Sequence, residues 1–177
     1  MRPPQYAKDE VELSELGRQA KQWTCPHCGR HGTLNAHGAL RGNAEDACGK
    51  DALRGRRFFC SNRERRPGCG RTFSILLATI IAGASVRSGC LWRFIRGRFE
   101  TGSVLSAWEG LRSVFSVEAA YRWWRRWQRG QFELRALLCR TRDPPPEGTL
   151  PGHLAAVYGA DDPIAAFQLA EQRTWPG

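Results

Sequence analysis

Two cysteine pairs, held apart by a glycine-rich and arginine-rich arm between Trp23 and Ser74, constrain this chain more than any other feature. The first is Cys25-Pro26-His27-Cys28-Gly29. Two residues between the thiols let a tight knuckle aim both sulfurs at one point, and the glycine after the second thiol lets backbone amides turn toward them. The second pair, Cys60 and Cys69, is separated by Ser61-Asn62-Arg63-Glu64-Arg65-Arg66-Pro67-Gly68 and followed by Gly70-Arg71-Thr72-Phe73. That spacing exceeds the usual two to four residues, but the insert is polar and turn-forming, so it can loop out. We read Cys25, Cys28, Cys60 and Cys69 as the ligands of one structural Zn2+. A ribbon of roughly 50 residues buries little apolar surface, and bound metal is a known remedy. Zinc would supply on the order of 10 kcal/mol to such a unit, which is expected to be largely disordered without it.

These residues have competing uses. Cys-Pro-His-Cys also occurs in thiol–disulfide oxidoreductases, where it heads a helix in a βαβ setting. Here Gly29 and Gly32 follow at once and no βαβ pattern flanks the motif. His27, His31 or His37 offers a substitute ligand, with Cys69 the cysteine most readily displaced. Cys48, Cys90 and Cys139 are spaced like ordinary free or buried cysteines.

The charge distribution points to the partner. The net charge of +10 is unevenly placed: residues 1–20 carry −1, 21–73 carry +7, 87–142 carry +8 and 143–177 carry −4. Only Lys8, Lys21 and Lys50 are lysines, leaving 24 arginines among the 27 basic residues. Arginine's planar fork suits phosphates and guanine edges, so a polyanion is the expected partner. The longest apolar run, Ile75 to Ala84, falls far short of the ~20 residues of a membrane span. Paired cysteines without a secretory leader fit a reducing, cytoplasmic location.

The predicted organisation is α+β: a small zinc ribbon of short antiparallel strands followed by a helical, helix-turn-helix-like domain. Residues 1–22 read as a solvated N-terminal arm with a short surface helix, anchored by Trp23. The ribbon covers 23–75, with strands near Gly32–Gly38, Arg56–Cys60 and Arg71–Ile75 and an exposed loop from Ala39 to Gly55. Arg56 and Arg57 are expected to extend from the same sheet edge. The helical domain covers 76–142, a Pro-rich linker 143–152 and an acidic tail 153–177, whose one helix has Asp162 as cap, Pro163 at its first turn, and Ile164 and Phe167 inward.

Within the helical domain, Ser85 or Ser88 caps a helix with Leu91, Phe94 and Ile95 inward and Arg93 and Arg96 outward. Ser103 caps a second that turns Val104, Leu105, Trp108 and Leu111 to one side. Ser116 caps a third, from Val117 to about Arg129, with a packing segment from Gln131 to Cys139 beyond it. At 100° per residue, Arg125, Arg126, Arg129 and Glu118 of this third helix fall within ~60° of Arg122. Val117, Ala120, Tyr121, Trp123, Trp124 and Trp127 occupy the opposite arc. Charged faces usually mix signs, and this one holds four arginines to one glutamate.

Cys-Pro-His-Cys-Gly, a strand ending at His37-Gly38, Arg57-Phe58-Phe59-Cys60 and Cys69-Gly70-Arg71-Thr72-Phe73 together resemble the N-terminal zinc ribbons of bacterial insertion-sequence transposases and their small DNA-binding regulators. The resemblance covers roughly residues 23–128. It departs in the wide Cys60 to Cys69 spacing and the long arm. Ser116-Val117-Glu118-Ala119-Ala120-Tyr121-Arg122-Trp123 is also similar to the opening of many transposase and resolvase recognition helices, although the preceding turn lacks the usual glycine.

The resemblance implies a zinc-dependent protein that binds double-stranded DNA as a regulator or accessory factor of a mobile element, acting beside a separate transposase or another protein. Arg122, Arg125, Arg126 and Arg129 would share base edges and phosphates, while Arg54, Arg56, Arg57, Arg63, Arg65 and Arg66 grip the backbone. No enzymatic activity is expected. Only Asp143, Glu147, Asp161, Asp162 and Glu171 follow the helices, with no predicted strands to place the three carboxylates that a two-metal nuclease needs. Two alternatives stand beside this reading. One is a zinc-stabilised protein-interaction module that recruits through its acidic tail and ribbon loop. The other is an RNA or single-stranded DNA binder that stacks bases on Phe58 and Phe59.

Overall fold

The computed structural model describes residues 3–42, 52–63, 67–146, 148–159 and 161–176. It is α+β, with a four-stranded mixed sheet and six helices among the described residues. The chain divides after Ile80 into two compact units. No helix among the described residues is long and apolar enough to cross a membrane.

The first unit begins inside its sheet. Strand β1 (Tyr6–Ala7) runs parallel to β4 (Thr72–Leu77), and the order across the sheet is β1-β4-β3-β2, with β2 (Leu34–Gly42) and β3 (Ala52–Cys60) antiparallel. Residues 1–22 were expected to form a solvated arm, and here the structure differs. Asp9 caps helix α1 (Glu10–Arg18) by accepting from the Glu12 amide at 2.8 Å. That start turns Leu13 inward, where it is buried with Ala7, Ala20, Trp23, Phe58 and Ile75. Trp23 meets Phe58 edge to face, with ring centroids 5.7 Å apart.

Both ends of the loop expected over 39–55 are strand, at 39–42 and 52–55, and residues 43–51 between them lie outside the described residues. The β2–β3 ladder runs from Leu34↔Cys60 out to Gly42↔Ala52, with register shifts at Ala36/Gly38 and Leu40/Arg41 that absorb the glycines. Gly55 shows why one glycine must lie within β3. A Cβ there would stand 2.3 Å from the Ile75 carbonyl oxygen, closer than any side chain tolerates.

The second unit is helical. Helix α2 spans Ser88–Thr101, α3 Val104–Leu111, α4 Val117–Thr141, α5 Leu150–Tyr158 and α6 Pro163–Glu171. Leu91, Phe94 and Ile95 are buried as their spacing predicts, and Ser103 caps α3 by accepting from the Ser106 amide. Leu105 is a correction: it is 45% exposed, and Ala107 takes the buried position of α3. Ser88 is also recast, since it lies inside the first turn of α2 and its hydroxyl donates to Asp162 Oδ2 at 2.5 Å. The segments expected on either side of Gly130 form one 25-residue helix, because a lone glycine weakens a helix by only about 1 kcal/mol and does not end it.

The linker and tail depart furthest from what the sequence predicts. Thr149 caps α5 and Asp162 caps α6 with Pro163 in its first turn. Leu150, Leu154, Ile164, Phe167 and Trp175 then join Phe94, Trp127, Leu134 and Leu138 in a single core. Trp127 stacks on Trp175 at 5.8 Å, and Phe167 meets Trp175 edge-on at 5.5 Å. Asp143, Asp161 and Glu171 are exposed, whereas Asp162 lies between the first turns of α6 and α2.

Candidate metal centre and basic cleft

The two cysteine pairs meet. Cys25 Sγ lies 3.8 Å from Cys69 Sγ, and Cys28 Sγ lies 3.8 Å from Cys60 Sγ. All four sulfurs fall within 4.8 Å of one another. A tetrahedron of sulfurs around an ion at the usual zinc–sulfur distance of ~2.3 Å has edges of ~3.8 Å, so the spacing suits a tetrahedral thiolate centre. No disulfide competes: Cys25, Cys28, Cys60, Cys69, Cys90 and Cys139 are all free thiols. None of the histidines weighed as substitutes joins the cluster. His27 Nε2 pairs with the Thr72 carbonyl, His31 bridges Thr24, and His37 lies against the Phe59 ring.

Backbone geometry explains how unequal spacings give equal knuckles. In the first, the Cys25 amide donates to the Arg30 carbonyl at 2.8 Å and the Gly29 amide to the Cys25 carbonyl at 2.9 Å. In the second, the Cys60 amide donates to the Arg71 carbonyl at 2.9 Å and the Gly70 amide to the Cys60 carbonyl at 2.9 Å. Gly29 and Gly70 share φ 73°, a left-handed conformation that favours glycine. The insert is pinched off by the Gly68 amide donating to the Ser61 carbonyl at 2.9 Å. Seen from the metal site, Cys60-Ser61 and Gly68-Cys69 behave as an ordinary two-spacer knuckle.

Burial and hydrogen bonding treat the buried thiols differently. Burial pushes the Cys25 thiol up to about 12. At Cys60 burial acts in the same direction but is outweighed by the Thr33 hydroxyl at 3.1 Å, the Cys69 amide at 3.3 Å, and the thiols of Cys25 and Cys28, which bring it down to about 7. A bound cation supplies the charge that the other sulfurs need to ionise, and releases their protons. Thr33 escaped sequence reasoning, since nothing marks a threonine between two glycine-rich turns as a thiolate partner.

The arginines of the first unit do not act as one group. Neighbours on a central strand point to opposite faces, so the expectation that Arg56 and Arg57 leave one edge together is corrected. Arg56 is half-buried along α1, close enough that a Cβ on Gly17 would stand 2.5 Å from its Nη1. Arg54 is half-buried against Gly42. Arg57 and Arg63 are exposed, with the Arg63 guanidinium 5.9 Å from the centroid of the Phe59 ring. Arg65 and Arg66 lie outside the described residues, as does Cys48. Phe58 is fully buried, which removes it from any base-stacking role.

In the second unit, Arg122, Arg125, Arg126 and Arg129 do share one face of α4. Together with Gly83–Val86, Phe115 and Trp123 they line an open cleft of ≈ 910 Å³. No carboxylate lines it, and among the described residues none forms an ion pair with these four arginines. Glu118, one turn before Arg122, is held below the usual carboxylate range chiefly by the Ser116 hydroxyl, with a smaller contribution from Arg122. The turn that lacks a glycine is made by Arg112, which itself adopts φ 48° at the end of α3. Comparison with protein-family models, curated proteins and solved structures finds no match to this chain.

Proposed function

We propose that the chain is a zinc-ribbon protein that binds double-stranded DNA through the arginine face of α4. The observation that carries this is the row of four arginines with no carboxylate in ion-pairing range among the described residues. Grouped like charges repel unless an anion neutralises them, and the phosphate backbone is the partner that arginine forks fit best. The tetrahedral spacing of the four sulfurs favours Zn2+, an ion without redox chemistry, in a closed structural role. Helices α3 and α4, joined through residues 112–116, supply the two helices of a helix-turn-helix variant, with α4 about 37 Å long. Arg57 and Arg63 add backbone contacts from the sheet unit. The family resemblance adds a role as regulator or accessory factor of a mobile element, beside a separate transposase. The rival reading as a recruiting module relied on the acidic tail and the ribbon loop, and of these the tail's apolar residues in α5 and α6 are bound into the core.

The test is duplex affinity against salt, with metal content measured on the same samples. Wild type should hold one zinc per chain and lose affinity steeply between ~50 and ~200 mM salt, with a log–log slope near −0.9 for each phosphate neutralised. A flat salt response sinks the proposal. Cys28→Ser should lose the metal.

A further inference from the structure

We propose that the cleft beside α4 binds an unpaired stretch of polynucleotide, with its phosphates on the arginines and a base against Trp123. This rests on the nucleic-acid reading above and deepens it. A duplex groove of ~12 Å receives the exposed ridge of a helix. The arginine face of α4 is also one wall of a concavity, with Gly83–Val86 lining it as well. A single strand can follow such a cleft beyond the end of a duplex, and proteins that hold single strands combine a cationic channel with an aromatic ring on which a base can stack.

Both parts are present. Arg122, Arg125, Arg126 and Arg129 provide the cations. Trp123 lines the same cleft, half-buried and held edge-to-face by Phe94 at 5.6 Å and by Phe115 at 5.1 Å. A ring already fixed on two sides loses little freedom when a base meets it. The Ser85 hydroxyl and the Gln128 amide add neutral donors and acceptors for a base edge. At ≈ 910 Å³ the cleft is near the upper end of the ~300–1,000 Å³ typical of ligand sites. An acidic peptide would satisfy the arginines but would offer no planar base to meet the exposed part of the Trp123 ring.

The experiment uses the full, metal-loaded chain with a blunt duplex, the same duplex carrying a single-stranded overhang, and a poly-glutamate peptide. The overhang should tighten binding roughly tenfold, the scale of one base–aromatic stack. Ser85 is exposed on a loop, so Ser85→Glu sets a carboxylate in the cleft without touching the core, and should abolish that gain. Trp123→Leu should also abolish it while leaving the salt slope unchanged. Arg126→Gln should lower the slope for a single strand by about 0.7. Equal affinity for blunt and overhanging duplexes, an overhang gain that survives Ser85→Glu, or poly-glutamate binding as tightly as DNA would each overturn the cleft proposal. Equal, salt-sensitive binding of both duplexes would leave the duplex reading intact, whereas salt-insensitive binding of both would end both proposals.

Discussion

The two units of this protein solve the same problem by opposite means. The unit ending at Ile80 has a modest core around Trp23, Phe58 and Ile75, and draws two distant chain segments together at four sulfurs. The unit from Ile81 onward has no such cluster among its described residues and relies on Phe94, Trp127, Phe167 and Trp175 interlocked in one core. A small sheet buries little apolar area, so on the proposed zinc reading a bound ion would lend it stability. A helical unit that recruits its own last helices can do without one.

Metal removal should break this contrast most visibly. Chelation, or Cys28→Ser, should unfold the sheet unit by removing binding free energy on the order of 10 kcal/mol. Helical circular dichroism and the tryptophan environment around Trp127 and Trp175 should persist. Loss of both signals together would show that the units do not stand independently.

The converse lesion is Phe167→Ala. Phe167 is fully buried between Tyr158 and Trp175, and its loss should cost about 3–5 kcal/mol in denaturant melts of the helical unit. Zinc content should not change.

A smaller effect is expected at Asp162. Its carboxylate accepts from the Ala165 amide at 3.0 Å and from the Ser88 hydroxyl, joining the first turns of α6 and α2. Asp162→Ala should destabilise the helical unit by about 1–2 kcal/mol, measured as a shift in its unfolding midpoint at constant m-value.

The mildest change is excision of Asn62 to Pro67. The Ser61–Gly68 hydrogen bond already closes the insert at its base, so the shortened chain should keep one zinc. Its stability should change by less than about 1 kcal/mol, as slow loop-entropy scaling predicts. Loss of zinc would show that the insert helps to shape the knuckle.

Much of the site was legible in the residues. The four cysteines, the glycines after each knuckle, the caps at Ser103 and Asp162 and the arginine face of α4 are local matters, set by spacing and by helical or turn geometry. The residues alone mislead where a partner distant in sequence decides. Arg56 and Arg57 read as a pair along the chain, but β3 is flanked by strands on both sides, which turns them to opposite faces. Phe58 looked available for stacking until Trp23 and Phe73 closed over it. Residues 143–177 read as a spacer and tail because three prolines break a helix and the net charge is negative, whereas burial depends on which face each apolar residue takes.

From its residues alone this chain determined two cysteine pairs suited to one metal, a surplus of arginine and an amphipathic helix to carry part of it, because side-chain type, charge and helical period are properties of neighbouring positions. Only the tertiary structure decided that an eight-residue spacing makes the same knuckle as a two-residue one, and that the arginine face lines a cleft. Both depend on contacts between segments that the chain brings together only on folding, and no local pattern records where such segments will meet.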